Sequence, residues 1–172
     1  MPADLIQASV LCVFPAMVII AGLYDITTFT IPNWISAALA LAFIPAAFLT
    51  GSSWAEVGLC VAVGLGCFIL AVGMFAMNWI GGGDAKLMTA TAVWMGFGIN
   101  LVGYLVTSAF LGGLLTVAIL SYRGSALAVY TGQNIFLRNL ADKSRGIPYG
   151  IALAAAGLVL YPASIWMSAL PL

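Results

Sequence analysis

Two aspartates in a chain with few charges are the residues best suited to chemistry. Asp84 stands in Ile80-Gly81-Gly82-Gly83-Asp84-Ala85-Lys86-Leu87, with long apolar runs on both sides. Asp25 stands in Tyr24-Asp25-Ile26-Thr27-Thr28-Phe29-Thr30-Ile31-Pro32-Asn33, directly after the first apolar run. A carboxylate at a membrane boundary is costly to keep there, because desolvation disfavours its charge. Glycine has no side chain, so another backbone can approach Gly81, Gly82 and Gly83 closely. The stretch therefore suits a carboxylate beside an extended peptide, or equally a glycine-rich turn whose aspartate caps the next helix. Two carboxylates at one membrane depth suit aspartic proteolysis. Like charges a few Å apart cannot both ionise easily, so the pair shares a proton. One carboxylate then takes a proton from water and the other gives one to the peptide carbonyl. Two unrelated polar caps, or a proton relay or ion site, are the other readings of the bare pair.

The elements that position these residues follow from composition. Of 172 residues, 64% are hydrophobic and 6% charged, with a mean hydropathy of +1.17. Soluble domains are typically about 25% charged. The chain is expected to be an all-α integral membrane protein. A formal net charge of zero gives no sign of a nucleic-acid partner. Histidine is absent, which excludes His-based triads and the common His-containing zinc sites. Cys12, Cys60 and Cys67 lie in apolar runs without CxxC spacing and read as small buried hydrophobes. No metal and no cofactor are expected. The segment Met1-Pro2-Ala3-Asp4 lacks a basic region, so the first apolar run is expected to remain as a transmembrane helix.

Apolar runs cover Leu5–Leu23, Trp34–Leu49 and Val57–Trp79. The run from Leu87 to Tyr122 is too long for one span, and Gly96-Phe97-Gly98-Ile99-Asn100 is its only plausible turn. The split gives a short fourth span from about Ala85 and a fifth from about Leu101 to Leu120. The sixth runs from Ile147 to about Leu170, with Pro148 in its first turn. Six spans place residues 24–33, 80–86 and 121–146 on one face. Lys86, Arg123, Arg138, Lys143 and Arg145 all lie there, and no basic residue lies on the other. That face is expected to be cytoplasmic and both termini external. Asp25 and Asp84 fall on the same face, although neither was used to assign it. Ser108 and Gly112 form a small-xxx-small packing pair in the fifth span. No internal repeat of the transporter kind is present.

Gly81-Gly82-Gly83-Asp84-Ala85-Lys86-Leu87 resembles the GxGDxKL signature of type IV prepilin peptidases. Asp25 followed by Ile31-Pro32-Asn33 resembles their first motif, and Ile147-Pro148-Tyr149-Gly150 resembles the start of their last helix. The three matches occur in the family's order across the chain. The short length points to the small members that serve tight-adherence (Flp-type) pili. The resemblance implies a single membrane peptidase domain over residues 1–172, in the bacterial inner membrane, with Asp25 and Asp84 as the catalytic pair. It implies leader removal from a prepilin without N-methylation, since the cysteine tetrad of the larger members is missing. Gly81, Gly82, Gly83, Lys86 and Asn33 are the expected supporting residues. Lys86 either tunes Asp84 or snorkels to the interface, and Asn33 is expected to cap the second span. The loop after Asp25, Ile-Thr-Thr-Phe-Thr, lacks the arginines frequent in the family.

The expected partners are the prepilin, membrane lipid and the pilus assembly machinery, with no nucleic acid. Residues 122–146 carry four of the five basic residues, interleaved with Leu127, Val129, Tyr130, Ile135, Phe136, Leu137 and Leu140. An interfacial amphipathic helix is expected there, as a lipid anchor or a substrate dock. Glu56 and Asp142 are assigned no role. A presenilin-like intramembrane protease and a small transporter or assembly factor are the alternative functions.

Overall fold

The computed structural model describes residues 11–131, 134 and 137–164. All regular structure among them is helical. The helices are α1 (Val13–Thr28), α2 (Asn33–Leu49), α3 (Trp54–Ala76), α4 (Gly82–Met95), α5 (Ile99–Gly124), α6 (Ala126–Thr131), α7 (Arg138–Ala141) and α8 (Tyr149–Leu160). Two of them, α3 and α5, are long and apolar enough to cross a membrane. Their outward faces carry exposed Leu65, Ile69, Val106 and Phe110. Apolar side chains on the outside of a helical bundle fit a lipid surround, where backbone groups are satisfied within each helix.

Local chemistry sets the helix ends. Phe29 closes α1 in the left-handed region at φ 57°, its N–H bonded to the Asp25 carbonyl. Pro32 then starts α2 from an extended conformation. Ser53 and Glu56 form a capping box at the start of α3, with the Ser53 N–H donating to Glu56 Oε2 at 2.7 Å. Glu56 is thus a helix cap. The turn expected at Gly96–Asn100 is present, with Gly96 at φ 65° and Gly98 at φ 141°. Both angles favour glycine.

The short fourth helix is the centre of the bundle. Its 14 residues make about 21 Å of helix, less than a bilayer core of about 30 Å. Nine of its side chains are buried, because α3 and α2 pack on it and α8 touches it. α8 lies between α1 and α5. Away from the loops, Trp94 packs tilted against Phe14, with centroids 5.3 Å apart, and donates its indole N–H to the Leu39 carbonyl at 2.9 Å. Tyr161 stacks on Phe14 at 4.6 Å. This aromatic cluster joins α1, α2, α4 and the turn after α8.

Several expectations change. α1 runs past Leu23 to Thr28, so Asp25 lies inside a helix rather than after one. α5 starts at Ile99 and continues to Gly124, which brings Arg123 into the helix. The last helix ends at Leu160 and gives way to a 3-10 turn at Tyr161–Ala163. Pro162 cannot donate to a preceding carbonyl, which explains the stop. The expected continuation to Leu170 falls partly on residues 165–172, outside the described residues. In place of the single amphipathic helix expected in 122–146, the described residues form two short helices, α6 and α7, and Ile135 and Phe136 lie outside the described residues. Cys60 and Cys67 are buried as expected, while Cys12 is exposed.

Candidate active site

Three loop regions meet at one end of the bundle. A Cβ on Gly83 would lie 3.1 Å from Ile31 Cβ and 3.3 Å from the Ile31 backbone, so the start of α4 abuts the α1–α2 loop. Asn139 donates to the Thr27 carbonyl at 3.1 Å, and Arg145 lies 5.6 Å above the Phe29 ring. The segment before α8 is thereby held over the same loop.

Asp25 and Asp84 converge here from α1 and α4. Asp25 is 3% exposed and Asp84 is 7% exposed. The two carboxylates lie within electrostatic reach of each other. Both face the first turn of α8. The backbone N–H groups of Gly150 and Ile151 act on Asp25, and that of Gly150 acts on Asp84 as well. First-turn N–H groups have no partner within their own helix and carry the positive end of its dipole. Asp84 Oδ2 also accepts from the Gly81 N–H at 3.1 Å, closing the first turn of its own helix. Asp25 Oδ2 and Asp84 Oδ1 are buried and find no hydrogen-bond partner among the described residues. Each acid thus keeps one oxygen uncommitted.

The supporting residues separate into those that touch this centre and those that do not. Gly81 supplies its N–H to Asp84, and Gly83 lets α4 approach Ile31. Gly82 has only ordinary contact with Phe75. Lys86 does not reach Asp84. Its ammonium donates to Asn33 Oδ1 at 2.8 Å, tying α4 to α2. Asn33 is the first residue of α2 and makes no capping bond, since Pro32 holds the cap position.

Gly150 and Arg123, which the sequence marks only as part of a helix-start motif and as a basic residue of one face, gain a structural role at the site. A Cβ on Gly150 would lie 2.8 Å from Asp25 Oδ2 and 2.6 Å from Ile31 Cδ1, so only hydrogen fits. The available signal was a glycine at the second position of a helix begun by Pro148. Arg123 is 8% exposed. Its Nε donates to the Leu140 carbonyl at 2.8 Å, Nη1 to Arg145 at 3.0 Å and Nη2 to Gly146 at 3.1 Å. The guanidinium therefore fixes the segment that leads into α8. The fork matches three carbonyls in a way that an ammonium cannot. Arg123→Ala is expected to cost about 2 kcal/mol or more. Thermal melting in detergent, followed by gel filtration, checks this, with Arg123→Lys restoring only part of the loss. Wild-type melting of the alanine variant would remove the fork from the account.

Outside this centre, the Ser144 hydroxyl and N–H bond to Asp142 Oδ1 at 2.7 and 2.9 Å and hold that carboxyl below its usual range. Its ion pair with Arg145, at 3.7 Å, is exposed on both sides. Such pairs contribute little to stability.

Neither a curated protein nor a solved structure matches the chain. The family model of type IV leader peptidases matches residues 12–117, more than half of the chain. The match includes both aspartates and the glycine stretch at the start of α4. The chain therefore belongs to the type IV leader peptidase family, a family of membrane peptidases.

Proposed function

We propose that this peptidase removes the leader from a Flp-type prepilin at the cytoplasmic membrane face, with Asp25 and Asp84 as its catalytic pair. The observation that carries the reading is the meeting of two buried acids, each with an uncommitted oxygen, at the first turn of α8. In the working form the pair holds one proton. The ionised carboxylate takes a proton from water as its oxygen attacks the scissile carbonyl. The protonated one gives its proton to the carbonyl oxygen. Collapse of the tetrahedral intermediate breaks the C–N bond, and a carboxyl proton passes to the leaving nitrogen. The helix-end N–H groups of Gly150 and Ile151 stabilise the carboxylate charge of the pair as it passes from one acid to the other. Gly81 and Gly83 hold the start of α4 in place. Lys86 and Asn33 fasten α4 to α2.

The same reading places six spans of a single domain in the bacterial inner membrane, with lipid and the pilus assembly machinery as further partners. Lys86, Arg123, Arg138, Lys143 and Arg145 keep their shared face in the cytoplasm. A reporter active only in the cytoplasm, fused after Leu172, is expected to be silent. Activity there would remove one of the spans, and α4 is the first to re-examine because of its length. The function itself is tested by placing the purified protein in proteoliposomes with a Flp-type prepilin. Loss of the leader mass is expected, whereas an uncut prepilin beside a folded enzyme would overturn the reading.

A further inference from the structure

A groove of about 550 Å³ opens between α3, α4, α5 and α8. Asp84, Met88, Leu105, Tyr149 and Leu153 are among the residues that line it. Asp84 is buried, lines this groove and has an oxygen without a partner among the described residues. The groove thus reaches Asp84.

The wall formed by α5 carries two interleaved pairs of small residues. Ser108 and Gly112 are buried, and a Cβ on Gly112 would lie 3.2 Å from Tyr149 Cδ1 and 3.9 Å from Ala152 Cβ. That pair serves the packing of α5 on α8. Ala109 and Gly113, one residue further on, are exposed and line the groove. A Cβ on Gly113 would have nothing within 4 Å. Small residues four apart let a second helix backbone approach closely, and packing of this kind drives association of helices in lipid. An acyl chain gains nothing from such a pair, nor from a carboxylate in the groove wall.

We propose that the apolar helix of the peptide substrate docks in this groove against Ala109 and Gly113, while the peptide segment preceding it reaches Asp84 and Asp25. The proposal rests on the peptidase reading given above. Docking there sets the register of the cut, because the helix stops where the groove reaches Asp84.

The test uses the whole protein in proteoliposomes with a Flp-type prepilin. Gly113→Trp and Ala109→Trp fill the groove. Gly66→Trp is the control, because Gly66 is exposed on α3 and a Cβ there would also have nothing within 4 Å. Gly113→Trp is expected to lower kcat/KM by at least about tenfold, mainly through KM, with Gly66→Trp unchanged. A photoreactive benzoylphenylalanine at position 113, in the Asp84→Asn background, is expected to capture the prepilin. Wild-type kinetics of Gly113→Trp, or adducts only with lipid or with a second copy of the enzyme, would overturn the docking proposal and leave the peptidase reading intact. Failure of the wild-type protein to cut the prepilin would overturn both.

Discussion

Asp25→Asn and Asp84→Asn are each expected to lower leader removal by about 10³-fold or more, with insertion and folding unchanged. An amide neither takes a proton from water nor gives one to a carbonyl oxygen at neutral pH. The structure gives a reason to expect intact folding. Asp84 Oδ2 accepts the Gly81 N–H, and an asparagine oxygen accepts it equally well. Both acids have an oxygen free of such bonds, so the substitution breaks no network there. Because the pair acts as a unit, the double variant is expected to be no slower than either single one. Melting in detergent separates chemistry from stability. A well-folded Asn variant that processes prepilin normally would remove that residue from the mechanism.

The second large effect is expected at Gly150. Alanine favours a helix over glycine by about 1 kcal/mol, so propensity alone predicts that Gly150→Ala stabilises α8. The geometry predicts a loss of activity. The added Cβ would fall 2.8 Å from Asp25 Oδ2 and 2.9 Å from its Cγ. Its other near neighbour is the tip of Ile31. Both obstacles are side-chain ends that can turn away, so the fold survives while the Asp25 carboxylate moves off the Gly150 and Ile151 N–H groups. A displacement of about 1 Å in a reacting group can cost 10²-fold, and a loss of that order in kcat is expected. Gly58→Ala is the control, since a Cβ there meets nothing within 4 Å. Full activity in Gly150→Ala would detach α8 from the chemistry.

Hydropathy made the helices visible, and glycine and proline marked most of their joints. The turn at Gly96–Asn100 was legible because two glycines interrupt an otherwise unbroken apolar run. Pro162 carried the same kind of signal, but the residues around it stay apolar and hid the end of α8. Asp25 looked like the start of a loop because Thr27 and Thr28 follow it. Those hydroxyls instead bond back to the Leu23 and Tyr24 carbonyls, at 2.7 and 2.8 Å, inside the last turn of α1. Asp25 and Asp84 were legible as candidates because a carboxylate in an apolar surround is rare. Their shared helix end was not, since it depends on a contact between residues 25 and 150 that no local pattern encodes. Lys86 misled for the same reason. It sits two residues from Asp84 in sequence, but the helix turns its side chain toward Asn33.

In the proposed reaction, the two acids at the loop end of the bundle cut an extended segment there. A helix hides its carbonyls in internal hydrogen bonds, so the bond that reaches the acids must lie outside the substrate's apolar helix. A glycine at that junction unwinds the helix at little cost. N-terminal sequencing of the pilin released by the purified protein tests this directly. One new terminus is expected, immediately after a glycine, where the hydrophilic leader meets the apolar helix, with little cutting when that glycine is replaced by a bulky residue. A terminus deep inside the hydrophobic segment would contradict it and point to cleavage within the bilayer.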